Sequence, residues 1–333
     1  MQPPSERDAP DRCPGAVQVH AAADGGLARV RLPGGLLTAD QLGVLRAAAA
    51  ELGDPVLELT SRANVQVRGL RPGAEIELGE RLAAAGLLPS ATHERVRNII
   101  ASPLGDVRGL VREFDALLCA TPALADLPGR FLATIDDGRG DVTPLLGDVG
   151  LHGGRLVLAG LPTTATGGAS LLVAAALAFL AERVAQESQA WRLAELRDGP
   201  ARVAHRLRAS VDLCDLPVFA GPPPGVVVPL GLLTPALRFE DAAKEIIVTP
   251  WRTVVLPGVP MPDSDPSPWT GVTACAGRPG CAKALADVRA DARPRDPGGL
   301  PVHWAGCERR CGAPKGRHVE MVATPQGYRS AVV

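Results

Sequence analysis

Hydrophobic and polar positions along this chain change period in an order that occurs twice. In "LARVRLPGG" (27–35) apolar and polar residues alternate, as in a half-buried strand. "LLT" follows, and over 39–52 the apolar residues fall at helical spacing. "PVLELTSRANVQVRGL" (55–70) then reads as strand, turn, strand. The same order returns as "GVVVPLG", a second "LLT" (232–234), a short helical piece and "KEIIVTPWRTVVLPGV" (244–259). In each copy a threonine, Thr60 or Thr249, closes a β-rich run, and Arg or Trp-Arg fills the turn behind it. Thr38 to Leu59 is 21 positions but Thr234 to Val248 only 14, so the second copy lacks about two helical turns of roughly 3.6 residues each. Duplicated halves that each have one face to bury predict a packed pair.

Between the copies the pattern is mixed α/β. "GLVREFDALLC" has helical spacing, "RFLATID" and "RLVLAG" read as short strands, and helices are expected over 168–186 and 191–209. "PGVPMPDSDPSPW" (257–269) reads as a linker. Beyond it, "WTGVTAC" and "GLPVHWAGC" are strand-like, "PGCAKALADVRADA" (279–292) is expected to be helical, and "HVEMVATPQGYRSAVV" reads as a hairpin. The expected units are 13–92, 93–209, 210–262 and 263–333.

Composition narrows the setting. The 333 residues are 46% hydrophobic and 21% charged, with a formal net charge of −1. That balance gives no electrostatic case for a nucleic-acid or membrane partner. The N-terminus is polar and proline-rich, unlike a signal peptide, and "ASLLVAAALAFLA" (169–181) is too short to span a bilayer. A cytoplasmic location is expected, where thiols stay reduced, and seven cysteines cannot all pair.

Four of those cysteines form a pattern. Five residues separate Cys275 from Cys281, twenty-five separate Cys281 from Cys307, and three separate Cys307 from Cys311. Each pair follows an expected strand, so two adjacent loops are expected to bring four sulfurs together. Structural zinc usually takes pairs two to four residues apart, and the five-residue gap fits that poorly. Four thiolates on loops at strand ends suit a [4Fe–4S] cluster better, with zinc or no metal the alternatives. Pro279 is expected to open a helix whose N–H groups face the cluster. Cys13, Cys119 and Cys214 lack such spacing, as do the six histidines, and both sets read as core or surface residues.

In "SRANVQVR", Arg62, Asn64, Gln66 and Arg68 alternate with Ala63, Val65 and Val67. An extended segment turns the polar set to one face, an array of donors without an acid that suits anionic groups.

These motifs together resemble the sirohaem sulfite and nitrite reductases. "C-x5-C…GC-x3-CGAP" is similar to their cluster signature, "LTSRANVQVRGL" to their first tetrapyrrole-binding strand–turn–strand, and "RVRNIIASPLGD" to their Arg-Asn segment. Within that superfamily, "CPG" ahead of "DGGLARVRLPGG", the "TPWR" of the second copy and the compact length resemble the precorrin-3B synthases. The resemblance implies an α+β fold in which duplicated ferredoxin-like half-domains form a pseudo-symmetric pair. They are joined by α/β domains of the nitrite/sulfite-reductase type that carry the [4Fe–4S] cluster. It implies cobalamin (vitamin B12) biosynthesis, by oxygen-dependent hydroxylation of precorrin-3A with lactone formation. Arg62, Asn64, Gln66, Arg68, Arg97, Asn98, Arg130 and Arg252 become expected substrate-binding residues, and Cys275, Cys281, Cys307 and Cys311 expected cluster ligands.

The implied oxygen chemistry calls for a further mononuclear non-haem iron, whose ligands the sequence does not assign. No G-x-G-x-x-G follows a strand, so electrons from reduced nicotinamide are expected to arrive through a separate reductase protein. Where the reductases carry two lysines either side of a Phe, this chain has Arg130 and Leu132, and "ERR" separates its last two cysteines. Loss of the second cation suits a monooxygenase better than proton-demanding reduction of nitrite or sulfite, which makes sirohaem the less expected cofactor. A sirohaem-dependent assimilatory reductase and a non-catalytic, cluster-bearing tetrapyrrole-binding protein are the alternatives.

Overall fold

Thr38 starts the first long helix for a local reason. Its hydroxyl accepts from the backbone N–H of Gln41, whose side chain accepts from the Thr38 N–H in return. The structure, a computed structural model, describes residues 11, 13–219, 223–260, 267–296, 298–314 and 316–333. Most of the polar N-terminal stretch and the centre of the expected linker (261–266) lie outside them. Strands β1 (His20–Ala22), β2 (Gly25–Val30) and β3 (Leu36–Thr38) precede helix α1 (Ala39–Leu52). Strands β4 (Leu57–Leu59) and β5 (Val65–Leu70) and helix α2 (Ala74–Ala84) complete the first half. Leu42, Leu45, Ala48, Ala49 and Leu52 form the buried stripe of α1.

The next unit comprises β6 (Ile99–Ala101), α3 (Arg108–Ala120), β7 (Ala133–Asp136), β8 (Val149–His152), β9 (Arg155–Leu158), β10 (Leu161–Thr166), α4 (Ala169–Ala185) and α5 (Gly199–Arg206). Strands β6, β7 and β8 run parallel, and β9 returns antiparallel. Phe114 of α3 and Phe179 of α4 are fully buried in its core, each such side chain stabilising by about 1.5–3 kcal/mol. The helix expected over 191–209 is broken. Asp198 takes a left-handed conformation (φ 52°) and Pro200 follows, leaving a single 3-10 turn (Leu193–Glu195) ahead of the short α5. Among the described residues no helix is long and apolar enough to cross a membrane.

The second copy comprises β11 (Val226–Val227), β12 (Leu232–Leu233), β13 (Glu245–Val248) and β14 (Thr253–Val255), with a single 3-10 turn (Phe239–Asp241) where the first copy has α1. The two copies trade strands. β3 of the first pairs with β13 of the second, and β12 of the second pairs with β4 of the first. The sheets therefore run β1-β2-β5-β4-β12 and β11-β14-β13-β3. Each exchanged strand follows a matching turn in which the second and third residues have positive φ, Gly34–Gly35 (64° and 71°) and Leu230–Gly231 (54° and 74°).

The last unit holds β15 (Val272–Ala274), α6 (Val288–Asp291), β16 (Val302–Ala305), β17 (Val319–Thr324) and β18 (Gly327–Val332). β15, β16 and β17 are parallel and β18 antiparallel, the same pattern as β6 to β9. The helix expected over 279–292 is confined to Val288–Asp291, capped by the Asp287 carboxylate. Pro279 opens no helix. The preceding loop is instead tied down by Ala284 N–H to the Cys281 carbonyl, Leu285 N–H to Gly306 and Arg278 N–H to Ala286.

Candidate functional site

The two parallel strands β15 and β16 end side by side, so the loops after them are neighbours. Cys275 stands one residue past β15 and Cys307 two past β16. The Gly306 N–H donates to the Cys275 Sγ at 3.1 Å, linking the two loops directly. Cys275, Cys281 and Cys307 are half-buried and Cys311 is exposed. Burial pushes the Cys311 thiol up, Arg309 opposes this, and the nearby sulfurs of Cys275, Cys307 and Cys281 push it further. Four thiols thus share one electrostatic neighbourhood.

Behind them His303 is fully buried on β16, its Nδ1 2.8 Å from the Thr273 hydroxyl and its ring facing the Cys311 backbone. Burial, then Arg252 and His318, lower its pKa to about 4, so the ring is neutral. Four sulfurs on two loops, a backbone N–H aimed at one of them and a neutral buried ring behind fit an anionic iron–sulfur cluster.

The cysteine loops rest on the first ferredoxin-like half. Arg68 Nη2 donates to the Gly280 carbonyl at 2.9 Å, next to Cys281. Arg68 also pairs with Asp24 at 2.9 Å and lies 3.6 Å from Glu58. Glu58 in turn takes Arg289 at 2.6 Å and the Gln66 amide at 2.9 Å, while Gln66 Oε1 accepts from Arg29. A continuous polar line therefore runs from Cys281 through Arg68, Glu58, Gln66 and Arg29. This alters the expectation of a donor row free of acids, because neighbouring segments bring Glu58 and Asp24 onto that face.

Arg29 leads into a second cluster of cations. Arg31, Arg62 and Arg130 lie near Cys13, with Arg192 next to Arg62 and the carboxylates of Asp11, Glu94 and Asp148 among them. Burial, then repulsion from Arg192, lowers Arg62 to about 10, and burial, then Arg29, lowers Arg31 to about 9. Arg130 lies over the Trp191 ring at 5.0 Å. The Arg62 and Arg252 side chains have no hydrogen-bonded or ion-paired partner among the described residues, and Arg252 sits beside Glu58 and Arg289 at the cysteine end. Arg192 pairs with Asp148 at 2.7 Å, which also faces Arg62, yet the guanidinium groups outnumber the carboxylates here, a balance that suits an anionic ligand.

The Arg-Asn segment is placed differently from the expectation that it meets substrate. Arg97 makes a two-pronged pair with Asp115 (both 2.7 Å) and donates to the Leu87 carbonyl, so its guanidinium is occupied. Asn98 is buried and donates to the Gly129 and Phe131 carbonyls. Its Oδ1 accepts from Asn64, whose own Oδ1 accepts from the Leu32 N–H. Asn64 and Asn98 thus clamp the first copy to the next unit. Sequence reasoning passed over Arg29, Arg31, Arg192, Arg289, Glu58 and His303. Only Arg29 and Arg31 carried a signal, their alternation in "ARVRL".

Known proteins share this architecture. The nitrite/sulfite reductase ferredoxin-like half domain matches residues 20–85. The chain is 25% identical, over an alignment of 380 positions, to a precorrin-3B synthase from a Sinorhizobium species, covering 95% of this chain and 81% of that protein. Ferredoxin–nitrite reductases of Leptolyngbya laminosa and Synechococcus elongatus are 32% and 33% identical over 31% and 34% of this chain. Those matches cover only 23% and 25% of the reductases' own lengths. The solved structure of the Mycobacterium tuberculosis NirA protein covers 92% of this chain and 73% of its own at a TM-score of 0.64 and 18% identity, a likeness of fold. The chain thus has an α+β fold with a nitrite/sulfite reductase ferredoxin-like half domain, and along nearly its whole length it is similar to precorrin-3B synthase.

Proposed function

We propose that this chain is a tetrapyrrole-modifying oxidoreductase of cobalamin biosynthesis, a precorrin-3B synthase-like monooxygenase acting on precorrin-3A. The observation that carries the reading is the polar line joining the four-cysteine loops to the arginine cluster of the first half. Held by Cys275, Cys281, Cys307 and Cys311, a [4Fe–4S] cluster would supply electrons one at a time. Arg62, Arg130 and Arg252, which lack carboxylate partners among the described residues, receive the acetate and propionate arms of the substrate. Arg29 and Arg31 add positive potential behind them. Gln66 holds Arg29, Arg68 anchors the cysteine loop at Gly280, and Asn64, Arg97 and Asn98 tie the first copy to the next unit through their own hydrogen bonds. In the overall reaction one oxygen atom of O2 enters the tetrapyrrole as a hydroxyl while a carboxylate arm of the substrate adds to the neighbouring ring carbon as the lactone, and two electrons with two protons carry the other oxygen atom to water. A separate reductase oxidising a nicotinamide is the electron source in this reading, and the oxygen-activating iron has no ligands assigned.

Anaerobically purified protein should be brown and carry about four irons and four sulfides per chain. With precorrin-3A, a reductant and O2, the product should gain one oxygen in mass. Colourless protein with one zinc, or substrate bound tightly without oxygen-dependent turnover, would sink the proposal. A second reading, a sirohaem-dependent nitrite or sulfite reductase, draws on the nitrite reductase matches. It requires a bound chlorin-like chromophore after co-expression with sirohaem synthesis, and Leu132 in place of a second cation counts against it.

A further inference from the structure

Two α/β units with the same strand pattern carry different groups at the same place. Aligning Ile99 and Ala133 of the first with Val272 and Val302 of the last, both cross-strand pairs, puts Ser102 at the position of Cys275 and Asp137 at that of Gly306. The hydrogen bonds agree. Asp137 N–H donates to the Ser102 Oγ at 3.1 Å, as Gly306 N–H donates to the Cys275 Sγ. Where the last unit gathers thiols, the first gathers carboxylates, and oxygens of Asp136, Asp137 and Asp141 all lie within 4.8 Å of one another.

Asp136 and Asp141 are 2% and 3% exposed, and Asp137 is half-buried. Asp136 is already satisfied by the N–H groups of Gly138, Gly140, Val142 and Thr143 and by the Thr143 hydroxyl, with His152 Nδ1 at 3.6 Å. It therefore contributes charge rather than a free lone pair. Asp137 pairs with the Arg139 guanidinium at 2.8 Å, a side chain 43% exposed that can swing into solvent. Asp141 Oδ1 accepts from Ser102 Oγ at 2.5 Å, but its Oδ2 is buried and has no partner. Three carboxylates against one guanidinium leave negative charge uncompensated in a poorly solvated place. A proton or a cation must balance it.

We propose that Asp137 and Asp141, backed by the charge of Asp136, bind one hard divalent cation of the Mg2+ or Mn2+ class, with water completing its shell. The donor set is all oxygen, and such ions are commonly held by one or two carboxylates plus several waters. The site lies beyond the carboxyl ends of parallel strands β6 and β7, the edge at which α/β sheets receive ligands. Val142, further along the same loop, packs with Leu145, Ile100 and Leu132 beside Trp251 of the second copy. A bound cation would brace this loop against that turn. The inference stands apart from the cysteine site and from the proposed reaction.

The test is a titration of the full-length, cluster-loaded chain with Mn2+, following free Mn2+ by its EPR signal. One saturable site per chain is expected, competed by Mg2+ and weakened at least tenfold by Asp137→Asn and by Asp141→Asn. Asp141 is buried and its variant can fail to fold, so the half-buried Asp137→Asn carries the test alone if needed. Absence of saturable binding, or binding indifferent to the substitutions, overturns the proposal. So does an infrared carboxylic-acid band that disappears in Asp141→Asn yet persists under saturating Mn2+, because a proton then balances the charge.

Discussion

Arg62 and Arg97 are one residue type in two conditions, and the difference decides what each does. The Arg62 side chain is half-buried beside Arg192 and Arg29, with Asp148 facing it but no direct ion pair, whereas Arg97 has both prongs on Asp115. Removing a carboxylate receptor costs about 1.5–3 kcal/mol for a charged hydrogen bond, so Arg62→Ala should raise the KM for the tetrapyrrole roughly 10- to 100-fold without lowering the melting temperature. Arg97→Gln should do the reverse, because it leaves Asp115 unpaired at a cost of about 3 kcal/mol. Parallel denaturation and steady-state measurements on the two variants separate these outcomes. The sequence made both arginines visible but not the distinction between them. Asp115 lies eighteen residues from Arg97 on another element, and the partners of Arg68, Asp24 and Glu58, arrive from neighbouring segments. Alternation within one strand places a side chain on a face, and only the pairing of strands says what else is on that face.

Elements were legible where local chemistry sets them. The bounds of α1 follow from a capping box and a regular apolar stripe, both written in consecutive residues. The strand–turn–strand of each copy follows from a threonine hydroxyl that accepts the N–H groups of residues two and four later, Arg62 and Asn64 for Thr60, Trp251 and Thr253 for Thr249. The expectations for 191–209 and 279–292 failed where apolar spacing continued through a left-handed Asp198 and through a loop that wraps cysteines. At the exchange turn, a Cβ on Gly35 would stand 1.9 Å from the Val248 carbonyl oxygen, on backbone that has φ +71°. Gly35→Ala should therefore destabilise by about 3 kcal/mol or more, since neither the turn nor the strand it meets can give way.

The short α5 has its own anchor. Glu182 of α4, buried, takes Arg202 and Arg206 together with the Gln186 amide. Burial opposes ionisation, but these donors prevail and hold the carboxyl down to about 2. A depressed carboxyl contributes stability above its unfolded value, about 4.3, and that contribution fades as pH falls through 2. Glu182→Gln should lower the melting temperature at pH 7, and the gap from the parent chain should close between about pH 4.5 and 2.

At the scale of the molecule, the traded strands β3 and β12 make the two ferredoxin-like copies one cooperative object. Neither sheet is complete without the other copy, and α1 reaches across as well. Arg46 on that helix pairs with Glu240 at 2.8 Å and donates to the Thr234 carbonyl at 3.1 Å. One helix thus holds the connector that stands where the second copy has no long helix of its own. Hydrogen exchange should therefore report the same protection, opening in the same event, for the amides of β4 and of β13, although 186 positions separate Leu59 from Glu245. Exchange at clearly different free energies would mean the copies open separately. The trade also has a consequence for biosynthesis. Thr38 leaves the ribosome about 200 residues ahead of Glu245, its cross-strand partner, and at roughly 5–20 residues per second that is a wait of about 10–40 s. During that interval β4 has no β12 and β3 has no sheet to join, so the arginine face cannot close on anything. Completion of both sheets is then timed by synthesis of the second copy, and the exposed strand edges are what a chaperone would have to shield meanwhile.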